Sequence, residues 1–199
     1  YSFTGGASGT FEGIEDIQGT AGDDTLAPGY VDAQGDIIDG FDGLDDVVQA
    51  GDGNDRVDAG AGNDSVDGGA GDDVLVAGAG ADTFQGGTGQ DNLDASGAAT
   101  GVAIDLSTGA MSGDLVGDDL IAGGIEGVIG SAFDDTLTGF DSFDPTFTNQ
   151  LYGGAGNDLI DGRGGDDVLD GGTGNDSITG GTGNDQIAGG DDRDVITAE

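Results

Sequence analysis

A series of fourteen aspartates, each after a short glycine-rich stretch, stands two residues ahead of an aliphatic or aromatic side chain, and most steps between its members are nine residues long. The period is cleanest where GGAGNDLID, GRGGDDVLD, GGTGNDSIT, GGTGNDQIA and GGDDRDVIT follow one another, setting Asp158, Asp167, Asp176, Asp185 and Asp194 at constant spacing. A unit this short cannot bury a core alone. It has to stack copies of itself, which makes the chain a solenoid whose coil is a small multiple of nine residues. Each unit offers six turn residues, rich in Gly and Ala, then three strand residues of which the middle one points inward. One unit reverses the chain and two return it, so eighteen-residue coils stack at about 4.8 Å into two thin parallel sheets.

The fold class is therefore all-β, a solenoid of two stacked parallel sheets. Its expected core is the residue two places after each repeated aspartate: Ile38, Val47, Val57, Val66, Leu75, Phe84 and Leu93 in a first array, and Leu151, Ile160, Leu169, Ile178, Ile187 and Ile196 in a second. In the first array the repeated position holds Asp36, Asp45, Asp55, Asp64, Asp73, Asp82 and Asp91. The step from Asp45 to Asp55 is ten residues, which predicts a bulge near Val48 and Gln49. In the second array Asn149 stands where the first aspartate is due, after the irregular stretch GFDSFDPTFTNQ.

The two arrays share a prefix. GIEDIQGTAGDDTL, Gly13 to Leu26, returns as GIEGVIGSAFDDTL, Gly124 to Leu137, which reads as a tandem duplication. The expected organisation is a tail of a preceding strand and turn segment over 1–12, a first repeat block over 13–97, a connecting strand segment over 98–123, and a second repeat block over 124–199 with an insertion at 139–150. Val102, Ile104 and Leu106 alternate with Ala103 and Asp105, the mark of a half-buried strand, before the turn Ser107-Thr108-Gly109. Thr4 to Gly9 echoes Thr108 to Gly113, so the stretch is expected to begin inside a longer protein. Its end, Thr197-Ala198-Glu199, shows no obvious cap, and either more chain or a frayed last coil is expected there.

Charge decides which functions survive. The chain has 41 acidic and 3 basic residues, a formal charge of −38, and no histidine, so it cannot neutralise itself and must take its positive charge from solvent cations. Nucleic acids and anionic membranes or polysaccharides are excluded as partners, because Arg56, Arg163 and Arg193 form no basic patch. No apolar run reaches the roughly 20 residues of a bilayer span, so no membrane insertion is expected, and no signal peptide opens the stretch. Without cysteine there are neither disulfides nor thiolate metal sites, and without histidine the commonest zinc ligand is missing. A small exported domain lacking disulfides needs another staple, and a metal is the candidate.

Stacking supplies the place for it. Aspartates eighteen residues apart lie above one another, and carboxylates about 5 Å apart repel unless a cation lies between them. One inward aliphatic per nine residues is also a small core to set against backbone entropy, so the metal-free chain is expected to be barely stable or unfolded. Calcium takes six to eight oxygens and tolerates irregular geometry, whereas magnesium dehydrates reluctantly; a cage of carboxylates and turn carbonyls favours calcium.

With these residues in view, the chain closely resembles the RTX, or hemolysin-type, calcium-binding repeats, whose consensus GGxGxDxUx it follows over residues 13–47, 50–94 and 124–197. The resemblance implies a right-handed parallel β-roll with several calcium ions, each between turns two repeats apart. Its ligands would be the aspartates of both turns, the carbonyls of turn positions two and four in one, and those of positions one and three in the other. Carried over, Gly154, Gly156 and Asp158 join Gly171, Thr173 and Asp176. Arg163, Gly165 and Asp167 join Gly180, Thr182 and Asp185, and Gly172, Gly174 and Asp176 join Gly189, Asp191 and Asp194. In the first array Gly51, Gly53 and Asp55 join Gly68, Ala70 and Asp73. Gly60, Gly62 and Asp64 join Ala77, Ala79 and Asp82, and Gly69, Gly71 and Asp73 join Gly86, Thr88 and Asp91. The pairs Asp36 with Asp55 and Asp45 with Asp64 are nineteen apart, one residue out of step, and are carried as further candidates. Asp24 and Asp135, in the shared prefix, either begin each roll or cap a turn. Asp58, Asp67, Asp161 and Asp170 read as a solvated outer face, and Phe133, Phe140, Phe143 and Phe147 as a hydrophobic cap.

Three function classes follow. The leading expectation is a non-catalytic calcium-binding module, part of a larger secreted, extracellular bacterial protein, that folds on calcium after export; the family uses type I secretion. The alternative is an adhesin or surface-layer spacer rigidified by calcium. An enzyme is not expected: no nucleophile–base pair involving Cys or His exists, and acidic pairs are too common to be diagnostic. Some family members cleave themselves at an Asp-Pro bond, but Asp144-Pro145 reads as a simple turn.

Overall fold

A computed structural model describes residues 15–34, 36–38, 45–113, 119–141 and 148–198. Stacked turns and short strands make up all of it, with no helix among the described residues. Two sheets face each other. The first runs in the order Glu15–Gln18, Asp46–Asp52, Ser65–Ala70, Thr83–Thr88, Leu120–Gly123, Ala110–Ser112, Ala103–Asp105, Thr136–Thr138, Leu159–Asp161, Ser177–Thr179 and Val195–Thr197. The second runs Thr25–Leu26, Arg56–Asp58, Val74–Val76, Asn92–Asp94, Gly127–Ile129, Gln150–Ala155, Val168–Thr173 and Gln186–Asp191. Successive strands alternate between the sheets, and neighbours within a sheet are parallel through both arrays. This is the β-roll solenoid the nine-residue period requires.

One aliphatic or aromatic side chain per strand forms each inward ladder. In the first sheet Ile17, Val48, Val66, Phe84, Ile121, Met111, Ile104, Leu137, Ile160 and Ile178 are buried, and in the second Leu26, Val57, Leu75, Leu93, Val128, Leu151 and Leu169. At the last coil Ile187 is only partly buried and Ile196 is 47% exposed, because no further described coil covers them. Expected core residue Val47 is replaced by Val48: Val48 is fully buried and pairs with Val66, whereas Val47 pairs with Ser65 on the outward row. No bulge forms at Val48 and Gln49, where the register with Ser65–Ala70 is unbroken, so the extra residue is taken up before Asp46. The register shift instead lies between Ile121 and Gly123.

The connecting segment continues the first sheet. Ala103–Asp105 is the strand expected from the Val102-Ile104-Leu106 alternation; after the turn at Ser107-Thr108-Gly109 the chain returns antiparallel as Ala110–Ser112, which pairs antiparallel with Leu120–Gly123. In the second sheet Gly127–Ile129 lies between Asn92–Asp94 and Gln150–Ala155, so the two arrays share one stack. Ile38 is buried as expected, but beside a loop in which Ile37 bridges Val31 antiparallel, and not in either ladder. Residues 1–12, Phe143, Phe147 and Asp144-Pro145 lie outside the described residues. Phe133 is 45% exposed and Phe140 half-buried.

Candidate metal centre

The six turn residues of each unit lie along the two edges of the stack, and in the regular pairs each turn sits directly above the turn eighteen residues later. The space between two such turns is lined by main-chain carbonyls and the repeated aspartates. In all six regular pairs the upper aspartate's amide donates to the lower aspartate's Oδ1. The distance is 2.8 Å for Asp55 to Asp73, Asp64 to Asp82, Asp73 to Asp91 and Asp158 to Asp176. It is 3.1 Å for Asp167 to Asp185 and Asp176 to Asp194. In the same six pairs the amide at turn position four donates to the carbonyl at position three below: Gly53 to Ala70 at 2.7 Å, Gly62 to Ala79 at 3.0 Å, Gly71 to Thr88 at 2.9 Å, Gly156 to Thr173 at 2.9 Å, Gly165 to Thr182 at 3.0 Å and Gly174 to Asp191 at 3.3 Å.

The carbonyls of positions two and four point down the stack. A Cβ added to Gly69 or Gly71 would fall on the oxygen of Gly51 or Gly53, and one on Gly172 or Gly174 on that of Gly154 or Gly156. The position-one carbonyl points up. A Cβ on Gly68 would lie 2.5 Å from Asp73 Oδ2 and 2.6 Å from the Gly86 oxygen, so the carboxylate and the carbonyl one coil below converge on one point. The same convergence recurs at Gly162, where Asp167 Oδ2 is 2.8 Å and the Gly180 oxygen 2.7 Å from the added atom. Each carboxylate thus spans two spaces, Oδ1 above and Oδ2 below. Glycine is required at position four by both close approach and dihedral, with φ of +136° at Gly71 and +129° at Gly174. Two departures carry the same left-handed backbone on larger residues: Arg163 at position two, φ 68°, and Asp192 at position four, φ 80°.

Electrostatically these sites are unfinished. Oδ2 of Asp55, Asp64, Asp73, Asp91, Asp158, Asp167 and Asp176 is buried and has no hydrogen-bond partner, a costly state for a carboxylate. Burial, reinforced by neighbouring carboxylates and only partly offset by the amide bonds, pushes Asp64 up to about 7 and Asp82, Asp91 and Asp158 up to about 6. Asp55, Asp73 and Asp167 are raised too, by the same burial. A hard cation between the turns would meet two carboxylates and four carbonyls, an all-oxygen set of the number and kind calcium takes. Among the described residues no three His, Cys, Asp or Glu side chains form a metal-holding group, so the carbonyls are indispensable to any such site. Asp94 is a contrast. Burial raises it, but Ser96, whose Oγ donates at 2.6 Å, and Arg56, at 3.0 Å, outweigh that and hold it below the usual range.

Two candidates are not where the nine-residue count put them. Asp36 is no partner of Asp55; its amide bonds Asp32 Oδ1 at 3.0 Å, and the turn above Asp55 is that of Asp24, whose amide reaches Asp55 Oδ1 at 2.7 Å across 31 residues. Asp45 is displaced by Asp46, which is buried and donates to Asp64 Oδ1 at 2.8 Å across 18 residues, while Asp45 bonds Asn63 on the outer row. A strict eighteen-residue count back from Asp64 would have chosen Asp46. The ladder also takes in residues the repeat pattern did not select. The Asp82 amide donates to Asp119 Oδ1 at 2.8 Å and that of Asp91 to Glu126 Oε2 at 3.0 Å; the prefix residue Asp135, already a candidate, donates its amide to Asp158 Oδ1 at 2.8 Å. Asp24 and Asp135 therefore begin their ladders.

A model of the RTX calcium-binding nonapeptide repeat, in four copies, matches residues 10–27, 42–75, 67–99, 146–178 and 170–199. No curated protein matches the chain. The matched segments cover more than half of the sequence, and the chain belongs to this calcium-binding repeat family.

Proposed function

We propose that this calcium-binding repeat module is a non-catalytic folding switch of a secreted protein, kept unfolded where calcium is scarce and folded by it after export. The observation that carries the reading is the row of buried Oδ2 atoms without partners, set among converging carbonyls. Metal-free, each turn pair opposes folding through desolvated, mutually repelling carboxylates; with calcium held by both aspartates and the carbonyls of positions one to four, the same groups become ligands. The proposed ligand sets are the six regular pairs above. Binding to the folded form alone makes its free energy folding free energy.

Extracellular calcium modules work in the range of about 10⁻⁴–10⁻³ M, far above resting cytosolic levels, which is what lets one polyanion pass an export channel unfolded and fold outside. The module's role is structural, and any catalysis by the parent protein would reside in other segments. The test is limited proteolysis of the chain at cytosol-like and at millimolar free calcium. Rapid cleavage in the first buffer and protection in the second are expected; equal protection in both would end the export argument.

A further inference from the structure

The turn pair of Asn149 and Asp167 lacks the unfinished electrostatics of the six regular pairs. Between the turn that ends at Asn149 and the turn of Asp167 below it, the ladder position is an amide, fully buried. Asn149 Nδ2 lies 2.9 Å from Asp167 Oδ1, 3.1 Å from the Gly162 carbonyl and 3.1 Å from the Phe140 carbonyl. Its Oδ1 accepts the Phe140 amide at 3.1 Å. These are the oxygens of the regular scheme: the lower aspartate, the position-one carbonyl below and the position-two carbonyl above. A Cβ on Gly139 would sit 2.9 Å from Asn149 Nδ2 and 2.8 Å from the Gly162 oxygen, just as one on Gly162 would sit beside Asp167 Oδ2 and the Gly180 oxygen. The amide nitrogen thus stands where other turns present an unpartnered carboxylate oxygen. Its orientation is fixed by chemistry, since turning the amide over would set an acceptor against three acceptors.

Resting on the calcium reading above, we infer that Asn149 replaces the metal in this pair, its N–H groups bridging oxygens that a calcium ion bridges elsewhere, so that this space stays metal-free. A cation entering it would have to displace Nδ2 and would find one carboxylate where regular pairs have two. The edge at the start of the second array is closed by the protein itself, at a point outside any regular ligand set. Replacing the amide by a carboxylate of equal size removes the bridging donors and restores the second acidic ligand.

Native mass spectrometry of the whole chain at saturating calcium, with far-UV circular dichroism to confirm the fold, counts the ions. Asn149→Asp is expected to hold one calcium more than the parent chain, and Asp176→Asn at least one fewer. An unchanged count in Asn149→Asp beside a lowered count in Asp176→Asn would overturn the role of Asn149 while leaving the calcium reading intact. An unchanged count in Asp176→Asn would remove the calcium reading and this inference with it. In the calcium-loaded parent chain the Asn149 side-chain amide protons should resist exchange with deuterated water; rapid exchange would overturn the inference whatever the variants do.

Discussion

Asp135 and Asp158 are neighbours on one ladder and live in opposite states. Asp135 is saturated: its Oδ1 accepts the Val102 amide and the Ser131 hydroxyl, both at 2.7 Å, and its Oδ2 accepts the Ser131 amide at 2.6 Å. Asp158 has the Asp135 amide on Oδ1 and nothing on a buried Oδ2. The first array repeats the contrast, with Thr20 supplying an amide and a hydroxyl to Asp24 Oδ2 at 2.6 and 2.9 Å while Asp55 Oδ2 has no partner. The difference is one residue at turn position two, Ser or Thr in the prefix and Gly or Arg in the regular turns. Where Ser or Thr turns its amide and hydroxyl onto the carboxylate, the carboxylate is satisfied by the protein; where glycine stands, Oδ2 is left without a partner, and on the proposed reading calcium supplies it. The two ladders thus start on carboxylates that the protein satisfies itself and continue on carboxylates that, on the proposed reading, are completed by calcium.

The proton is the broadest way to break this contrast, because it acts on several buried ladder carboxylates together. Asp64, Asp82, Asp91 and Asp158 stand at about 6 to 7 in the folded chain against an ordinary value of 3.8. The folded state therefore binds more protons than the unfolded one across that window, and its stability falls as pH rises through it. Chelated protein should show more β-structure by circular dichroism at about pH 5 than at about pH 8, while calcium affinity, which needs ionised ligands, moves the other way. The same pH response with and without calcium would contradict the assignment.

Backbone comes next. Gly71→Ala places a methyl on the Gly53 carbonyl at φ +136° and should cost about 3 kcal/mol or more in calcium-loaded denaturation. Gly97→Ala, with open space around it, should stay within about 0.5 kcal/mol.

The comparison itself is sharpened by two substitutions. Asp73→Ala strips a ligand from two turn pairs and a charged hydrogen bond worth about 1.5–3 kcal/mol, so the calcium midpoint should rise at least tenfold and the number of bound ions fall. Ser131→Ala removes one hydroxyl from Asp135 and leaves the amide, so a loss of about 1 kcal/mol with an unchanged ion count is expected from calorimetry. Equal effects of the two would erase the distinction between satisfied and metal-dependent coils.

Much of this was legible in the sequence because the nine-residue period couples backbone, core and ligand position in one pattern: placing Val57, Leu75 or Leu169 inward also places Asp55, Asp73 or Asp167 at an edge. The pattern misled where two aspartates adjoin. Asp45 and Asp46 both satisfy a nine-residue step within one residue, and only pairing with Ser65–Ala70 settles that Val48 and Asp46 take the ladder. It was silent where chain is added inside a coil, because sequence distance then ceases to measure height in the stack. Asp24 meets Asp55 across 31 residues, Asp135 meets Asp158 across 23, and Asp82 meets Asp119 across 37. Ser131 and Thr20 were visible in the duplicated prefix, but their role depends on which carboxylate lies under them.

On the proposed reading, calcium completes the regular turn pairs and thereby folds the chain. A calcium titration of the chelated protein, followed by far-UV circular dichroism and heat of binding together, with magnesium as control, tests it most directly. A cooperative gain of β-structure coincident with the uptake of several calcium ions, which magnesium does not reproduce, is expected. A chelated protein that is already fully folded at neutral pH, and binds calcium singly or without structural change, would contradict it.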